Sequence, residues 1–216
     1  AVAYIEAGKV EVDGLPRTNP RSIVDESASI RIADESRPFR GYEKLAAAFD
    51  RFGVDPTGAV ALDAGAAAGG FTRLLLDRGA ERVYAVEVGY GQLLGSLRQD
   101  PRVVNLERTN VGDLTRELVP DALDLVTLDL GYLALALGVP QLNVLRFSPG
   151  AALVALVKPM SELGIGVLPT RQAEIDEAVA RATAAMRVAG WAVLDTAESP
   201  IRGSRGAVEV FVHATR

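Results

Sequence analysis

The stretch 60-VALDAGAAAGGFTRLLL-76 gathers the residue types that hold a nucleoside cofactor. Asp63 ends an apolar, strand-like run. Gly65, Ala66, Gly69 and Gly70 then form a small-residue loop, and Phe71 and Thr72 open a helical pattern. Glycine lets a backbone approach a ligand closely, and the first turn of a helix presents free N–H groups. Glu87 ends the next apolar strand, 82-RVYAVEV-88. In open α/β sheets a carboxylate at that place commonly hydrogen-bonds ribose hydroxyls.

The spacing decides between cofactors. Gly65, Gly69 and Gly70 read G-x-x-x-G-G, which misses the G-x-G-x-x-G dinucleotide fingerprint. Asp63 also stands where a pyrophosphate would be repelled. S-adenosylmethionine (SAM) carries an amino group, a sulfonium charge and no phosphate, so an acidic residue before a glycine loop suits it better. The plainer reading is a glycine turn that only lets strand and helix pack, and the co-occurrence of Asp63, the loop and Glu87 argues against it. Val88, Tyr90 and Asn110 are expected to complete the lining of the cofactor pocket.

A second stretch, 37-RPFRGYEKLAAAF-49, reads as a helix start with apolar residues at Tyr42, Leu45, Ala46 and Phe49. Lys44 sits near its beginning, where a carboxylate would suit the helix dipole better than an ammonium. The local sequence does not say what Lys44 answers to.

These residues need a frame. From Gly58 onward, strand and helix patterns alternate. Strands are expected at 59–65, 82–88, 103–107, 123–131, 151–159, 191–199 and 207–214, with helices at 70–79 and 171–190. Such alternation predicts an α/β fold: a mostly parallel, doubly wound sheet with helices on both faces. The last two strands are joined by a loop alone, so an antiparallel finish is expected. Residues 1–36 stand apart, with a helix end, a glycine stop, a short strand, an Asp-Gly turn and a second short strand at 28–34. That is too little material for a core of its own.

Composition narrows the chemistry. The 216 residues contain no cysteine and one histidine, His213. This leaves no thiol nucleophile, no disulfide framework and no expected metal centre. His213 reads as an ordinary strand residue. No apolar run reaches membrane-spanning length and no signal-peptide pattern opens the sequence, so a cytoplasmic protein is expected. The sequence opens on Ala1 rather than Met, in keeping with either a trimmed initiator or a longer protein. The net charge is −5, which does not favour a broad nucleic-acid surface, although a local basic patch would suffice.

The run 61-ALDAGAAAGGFTRLLLDRGAERVYAVEVGYGQL-93, followed by 97-LRQDPRVVNLERTN-110, closely resembles the TlyA family, FtsJ-like SAM-dependent ribose 2′-O-methyltransferases historically labelled hemolysins. The similarity extends from about Arg40 to the C-terminus. It implies a Rossmann-like class I methyltransferase fold with a seven-stranded, mostly parallel sheet and an antiparallel last strand. It also implies a Lys-Asp-Lys-Glu quartet around the reacting hydroxyl. Matched one by one, the first lysine is Lys44 in 40-RGYEKL-45 and the aspartate is Asp129 in 126-VTLDLG-131, which also borders the cofactor. The second lysine is Lys158 before Pro159, and the glutamate is Glu209 in 207-AVEVFVH-213. Lys158 is then the candidate for orienting or deprotonating the hydroxyl, with Asp129 and Glu209 orienting the lysines.

In that family a small RNA-binding domain, of the type first seen in ribosomal protein S-four, precedes the catalytic domain. Residues 1–36 resemble its second half, which leaves 37–216 as the methyltransferase domain. Between Tyr4 and Asp34 six acidic residues stand against four basic ones, a poor balance for gripping phosphate. Other departures fall near the substrate. Tyr42 replaces a glycine, 131-GYLAL-135 replaces a Ser-Phe-Ile-Ser pattern, and 160-MSELGIGVLPT-170 is short and carries no basic residue.

Three functions compete. The first is methylation of a ribose 2′-hydroxyl in RNA, with ribosomal RNA the expected substrate and Arg37, Arg40, Arg202 and Arg205 a possible phosphate-binding rim. The second is O-methylation of a small hydroxylated or nucleoside-like metabolite, favoured by the acidic balance and the altered loops. The third, a non-catalytic RNA-binding or membrane-active module, has least support, because no basic amphipathic segment is visible. The first is favoured.

Overall fold

The computed structural model describes residues 2–6, 8–12, 15–25, 28, 30–32 and 40–216. Seven strands form the main sheet: β4 (Val60–Ala64), β5 (Arg82–Glu87), β6 (Val103–Glu107), β7 (Ala122–Leu128), β8 (Arg146–Val157), β9 (Ala192–Glu198) and β10 (Val210–Thr215). Their spatial order is β6-β5-β4-β7-β8-β10-β9. Neighbours from β6 to β8 run parallel, and β10 is antiparallel to both β8 and β9. The sequence thus turns back at the β4/β7 junction, the place where open α/β sheets leave a crevice at their carboxyl edge.

Helices α2 (Arg40–Phe52) and α3 (Gly70–Asp77) cover one face; α5 (Leu135–Gln141) and α7 (Gln172–Val188) cover the other. Two short helices, α4 (Gly95–Arg98) and α6 (Pro159–Leu163), lie at the carboxyl edge. Strand β8 shows how the two cores are written. Leu153, Ala155 and Val157 pack with α7, while Val154 and Leu156 pack with Leu45, Phe49, Phe71 and Leu75. The period of two sends alternate residues to opposite faces. Each fully buried leucine or phenylalanine contributes about 1.5–3 kcal/mol. Trp191, Tyr84, Phe49 and Phe211 are the largest such side chains.

The amino-terminal segment holds α1 (Val2–Glu6) and a separate three-stranded antiparallel sheet, β2-β1-β3, built from β1 (Val10–Val12), β2 (Leu15–Arg17) and β3 (Ile30–Ile32). It touches the main body at the loop after β5. The Thr18 hydroxyl donates to the Gly91 carbonyl at 2.6 Å, and Gly8 packs on Leu94. The Asp13–Gly14 turn, Arg37 and the expected 36/37 boundary lie outside the described residues. No described helix is long and apolar enough to cross a membrane.

Candidate active site

The glycine loop takes its shape from contacts beneath it. Gly65 has φ +89, a region that favours glycine, and a Cβ there would overlap the Asp129 carbonyl oxygen. Its N–H donates to Val86 at 2.9 Å, and Asp129 N–H donates to Ala64 at 2.9 Å, so the ends of β4, β5 and β7 are laced together. Gly69, with φ +98, caps α3 with its Cα against Leu97 and Leu93, where a Cβ has no room.

Asp63 is sealed under this loop. It is fully buried, and its two carboxylate oxygens accept from Thr72 at 2.6 Å and Thr127 at 3.1 Å. Burial pushes its carboxyl up to about 7; the two hydroxyls oppose this and the Asp129 charge adds to it. Asp63 therefore braces the loop from below rather than facing its open side. Phe71 is likewise a core residue, tilted on Phe211 at 6.4 Å, and Gly70, Thr72 and Ala66 are buried around it.

Glu87 stands at the loop mouth. One carboxylate oxygen accepts from Ala67 N–H at 3.0 Å and the other from Gly89 N–H at 2.8 Å. Val88 and Tyr90 are exposed, and the Arg108 guanidinium lies 4.2 Å from the Tyr90 ring centre. Asn110 caps the short turn at Val111–Asp113 by accepting from Gly112 N–H at 3.1 Å. Two further contributors lacked a motif. Glu107 accepts from Gln92 and Leu93 N–H groups and pairs with Arg98, holding the loop after β5; Tyr132 accepts from Val111 N–H at 3.3 Å. A buried Thr inside the apolar run 126-VTLDL-130 was the visible hint for Thr127.

Lys44, Asp129, Lys158 and Glu209 resolve into two ion pairs. Lys44 Nζ donates to Glu209 Oε2 at 2.5 Å, with both side chains buried. Lys158 Nζ lies 2.5 Å from Asp129 Oδ1, both partly exposed. That contact is off the line of a proper hydrogen bond, so buried Oδ1 has charge compensation without a directional donor. Strand pairing brings the two pairs to the same edge. Val210 of β10 is opposite Val157 of β8, so Glu209 and Lys158 leave their strands side by side. Asp129 follows β7, the other neighbour of β8. Gly203 is packed so tightly on Glu209 that an added Cβ would overlap its carboxylate.

The basic rim changes character. One Arg40 nitrogen donates to the Arg202 carbonyl at 2.6 Å, tying α2 to the loop before β10. Arg202 pairs with Glu198 at 3.1 Å. Arg205 is exposed, with φ +57. Tyr42 packs on the core beside α3. His213 stacks on Phe52 at 5.3 Å, a packing role.

Chemically, the loop region joins carboxylates to open backbone and has no lysine or arginine between Asp63 and Thr72. That donor set fits a cationic, phosphate-free cofactor. The paired ammonium groups beside it suit a hydroxyl substrate.

The FtsJ-like methyltransferase family model matches residues 38–216. The 16S/23S rRNA (cytidine-2′-O)-methyltransferase TlyA of Mycobacterium tuberculosis is 42% identical, over 98% of this chain and 82% of that protein. Hemolysin A of Brachyspira hyodysenteriae is 31% identical, over 97% of this chain and 90% of that protein. A solved structure described as a hemolysin from Streptococcus thermophilus superposes with a TM-score of 0.79 at 29% identity, covering 99% of this chain and 81% of that one. With this sheet order and this loop, the chain belongs to the FtsJ-like methyltransferase family and is a SAM-dependent methyltransferase.

Proposed function

We propose that the chain methylates a ribose 2′-hydroxyl of RNA, with ribosomal RNA as the substrate, in the cytoplasm. The observation that carries this is the meeting of Lys44–Glu209 and Lys158–Asp129 at one sheet edge beside the glycine loop. The named rRNA 2′-O-methyltransferase activity of the 42%-identical relative supports RNA over a small metabolite.

Asp63, Gly65, Ala66, Gly69, Gly70, Phe71 and Thr72 shape the cofactor loop; Glu87, Val88, Tyr90, Asn110 and Asp129 line its open side. Bound SAM supplies an electrophilic methyl group. Lys158, held by Asp129, keeps the ribose hydroxyl in line, and the Lys158–Asp129 pair takes up the hydroxyl proton as the oxygen–methyl bond would form and the sulfur–methyl bond would break. Lys44 adds a second ammonium, fixed by Glu209, whose charge stabilises negative charge that develops on the oxygen. Residues 1–36 form part of a small RNA-binding-like unit of the ribosomal protein S-four type, and residues 37–216 the methyltransferase domain.

The test is transfer of a tritiated methyl group to ribosomal subunits, purified RNA and small-molecule extracts in parallel. Label is expected in rRNA and lost in Lys158→Ala while SAM still binds. Label confined to small molecules would replace RNA with a metabolite; undiminished turnover by Lys158→Ala would remove Lys158 from the chemistry.

A further inference from the structure

Helix α6 begins directly after Lys158, with Pro159 at its first position. Its one acidic residue, Glu162, is buried and 7% exposed. The Glu162 carboxylate does not face Lys158. It reaches across to α5, where one oxygen accepts from Leu135 N–H and the other from Ala136 N–H at 3.3 Å. Helix α5 needs that partner, because its N-cap residue is Ala134 and makes no side-chain cap. Burial raises the Glu162 carboxyl, opposed by the two backbone N–H groups and by Arg181 on α7.

The topology gives this contact its meaning. Asp129 leaves β7 and reaches α5 through residues 130–134; Lys158 leaves β8 and enters α6 at once. The two exits are joined once by Lys158–Asp129 and a second time by Glu162 on the start of α5. The first joint is partly exposed and the second is buried, so the second is the stiffer.

We propose that Glu162 is a positioning residue of the methyl-transfer centre: by capping α5 from α6, it fixes the separation and orientation of Asp129 and Lys158. This rests on the reading of those two residues as reacting-centre groups. Glutamine at 162 keeps the shape and one acceptor but turns an NH2 toward the second N–H. Alanine removes the tie.

The experiment compares Glu162→Gln and Glu162→Ala for kcat, KM for rRNA, SAM affinity by calorimetry and melting temperature, with a crystal structure of Glu162→Gln. Misplacement of reacting groups by about 1 Å costs on the order of 10²-fold in rate. Glu162→Ala is expected to lose about that much in kcat, with KM and SAM affinity within about twofold of wild type, and Glu162→Gln to recover part of it. In the crystal, the Lys158–Asp129 contact should lengthen. Wild-type kcat in folded Glu162→Gln, or a kcat loss matched by loss of SAM binding, overturns the inference. If wild-type enzyme transfers nothing to RNA, the substrate reading fails by itself; the inference is then decided by the crystal, where an unchanged Lys158–Asp129 geometry rejects it and a displaced one supports it.

Discussion

Lys44 and Glu209 lie 165 positions apart in sequence, yet their charges meet at 2.5 Å in the interior. Removing one partner of such a pair leaves an unpaired buried charge, at a cost of about 3–5 kcal/mol. Lys44→Met and Glu209→Gln should each fall in that range by urea denaturation. The double variant Lys44→Met/Glu209→Gln should cost less than the two singles summed, by about 1–3 kcal/mol. Strict additivity would mean that the pair is not coupled in solution.

Gly203 has an ordinary φ of −68, so alanine there meets only a steric problem, the Glu209 carboxylate. Gly203→Ala should push Glu209 away from Lys44 and lower methyl transfer by up to about 10²-fold. Gly166→Ala is the control, since nothing lies within 4 Å of an added Cβ. Equal activity of the two variants would remove Glu209 from the centre.

Gly65 combines φ +89 with a Cβ position that collides with the Asp129 backbone. Gly65→Ala should cost about 1–3 kcal/mol from backbone strain alone. Because the loop must shift to relieve it, SAM binding should fall more steeply than melting temperature. Calorimetric titration and a melt on the same sample check this.

Asp63 makes a prediction about pH. Its folded carboxyl is raised from 3.8 to about 7. Between those values the folded chain holds a proton that the unfolded chain has released. The contribution of Asp63 to stability is therefore full at low pH and declines as pH rises to about 7, beyond which it is flat. The melting-temperature difference between wild type and Asp63→Asn should move against wild type from about pH 5 to about pH 7 and then level off. A pH-independent difference would mean that Asp63 is ionised throughout.

The glycine loop and the mostly parallel sheet with its antiparallel finish were legible because they are local or periodic. Gly65 and Gly69 sit between an apolar run and a helical one, and β4, β5 and β7 follow largely apolar stretches, broken by Asp63 in β4 and by Asp124 and Thr127 in β7. Strand β8 was read too short. Pro149 and Gly150 look like a turn, yet pairing of Arg146 and Phe147 with Ala122 and Leu123 carries the strand through them. Strand β2 hides behind Pro16, which is tolerated because β2 pairs on one side only, with β1. The division of the quartet into Lys44–Glu209 and Lys158–Asp129 depends on tertiary distances that no spacing encodes. Glu162 was equally hidden, because its partner is a helix start 27 positions earlier. The sign that could have exposed it is Ala134, a helix N-cap with no oxygen to offer. No local pattern announced Thr72 and Thr127, whose hydroxyls both donate to Asp63.

Strand β10 is last in the chain but sits between β8 and β9. Among the described strands β9 pairs with β10 alone, so its place in the sheet depends on β10. Glu209 directly precedes β10, so the counter-charge of Lys44 is set in place with the same strand. A chain cut ahead of Glu209 would keep the whole glycine loop but leave Lys44 without its counter-charge.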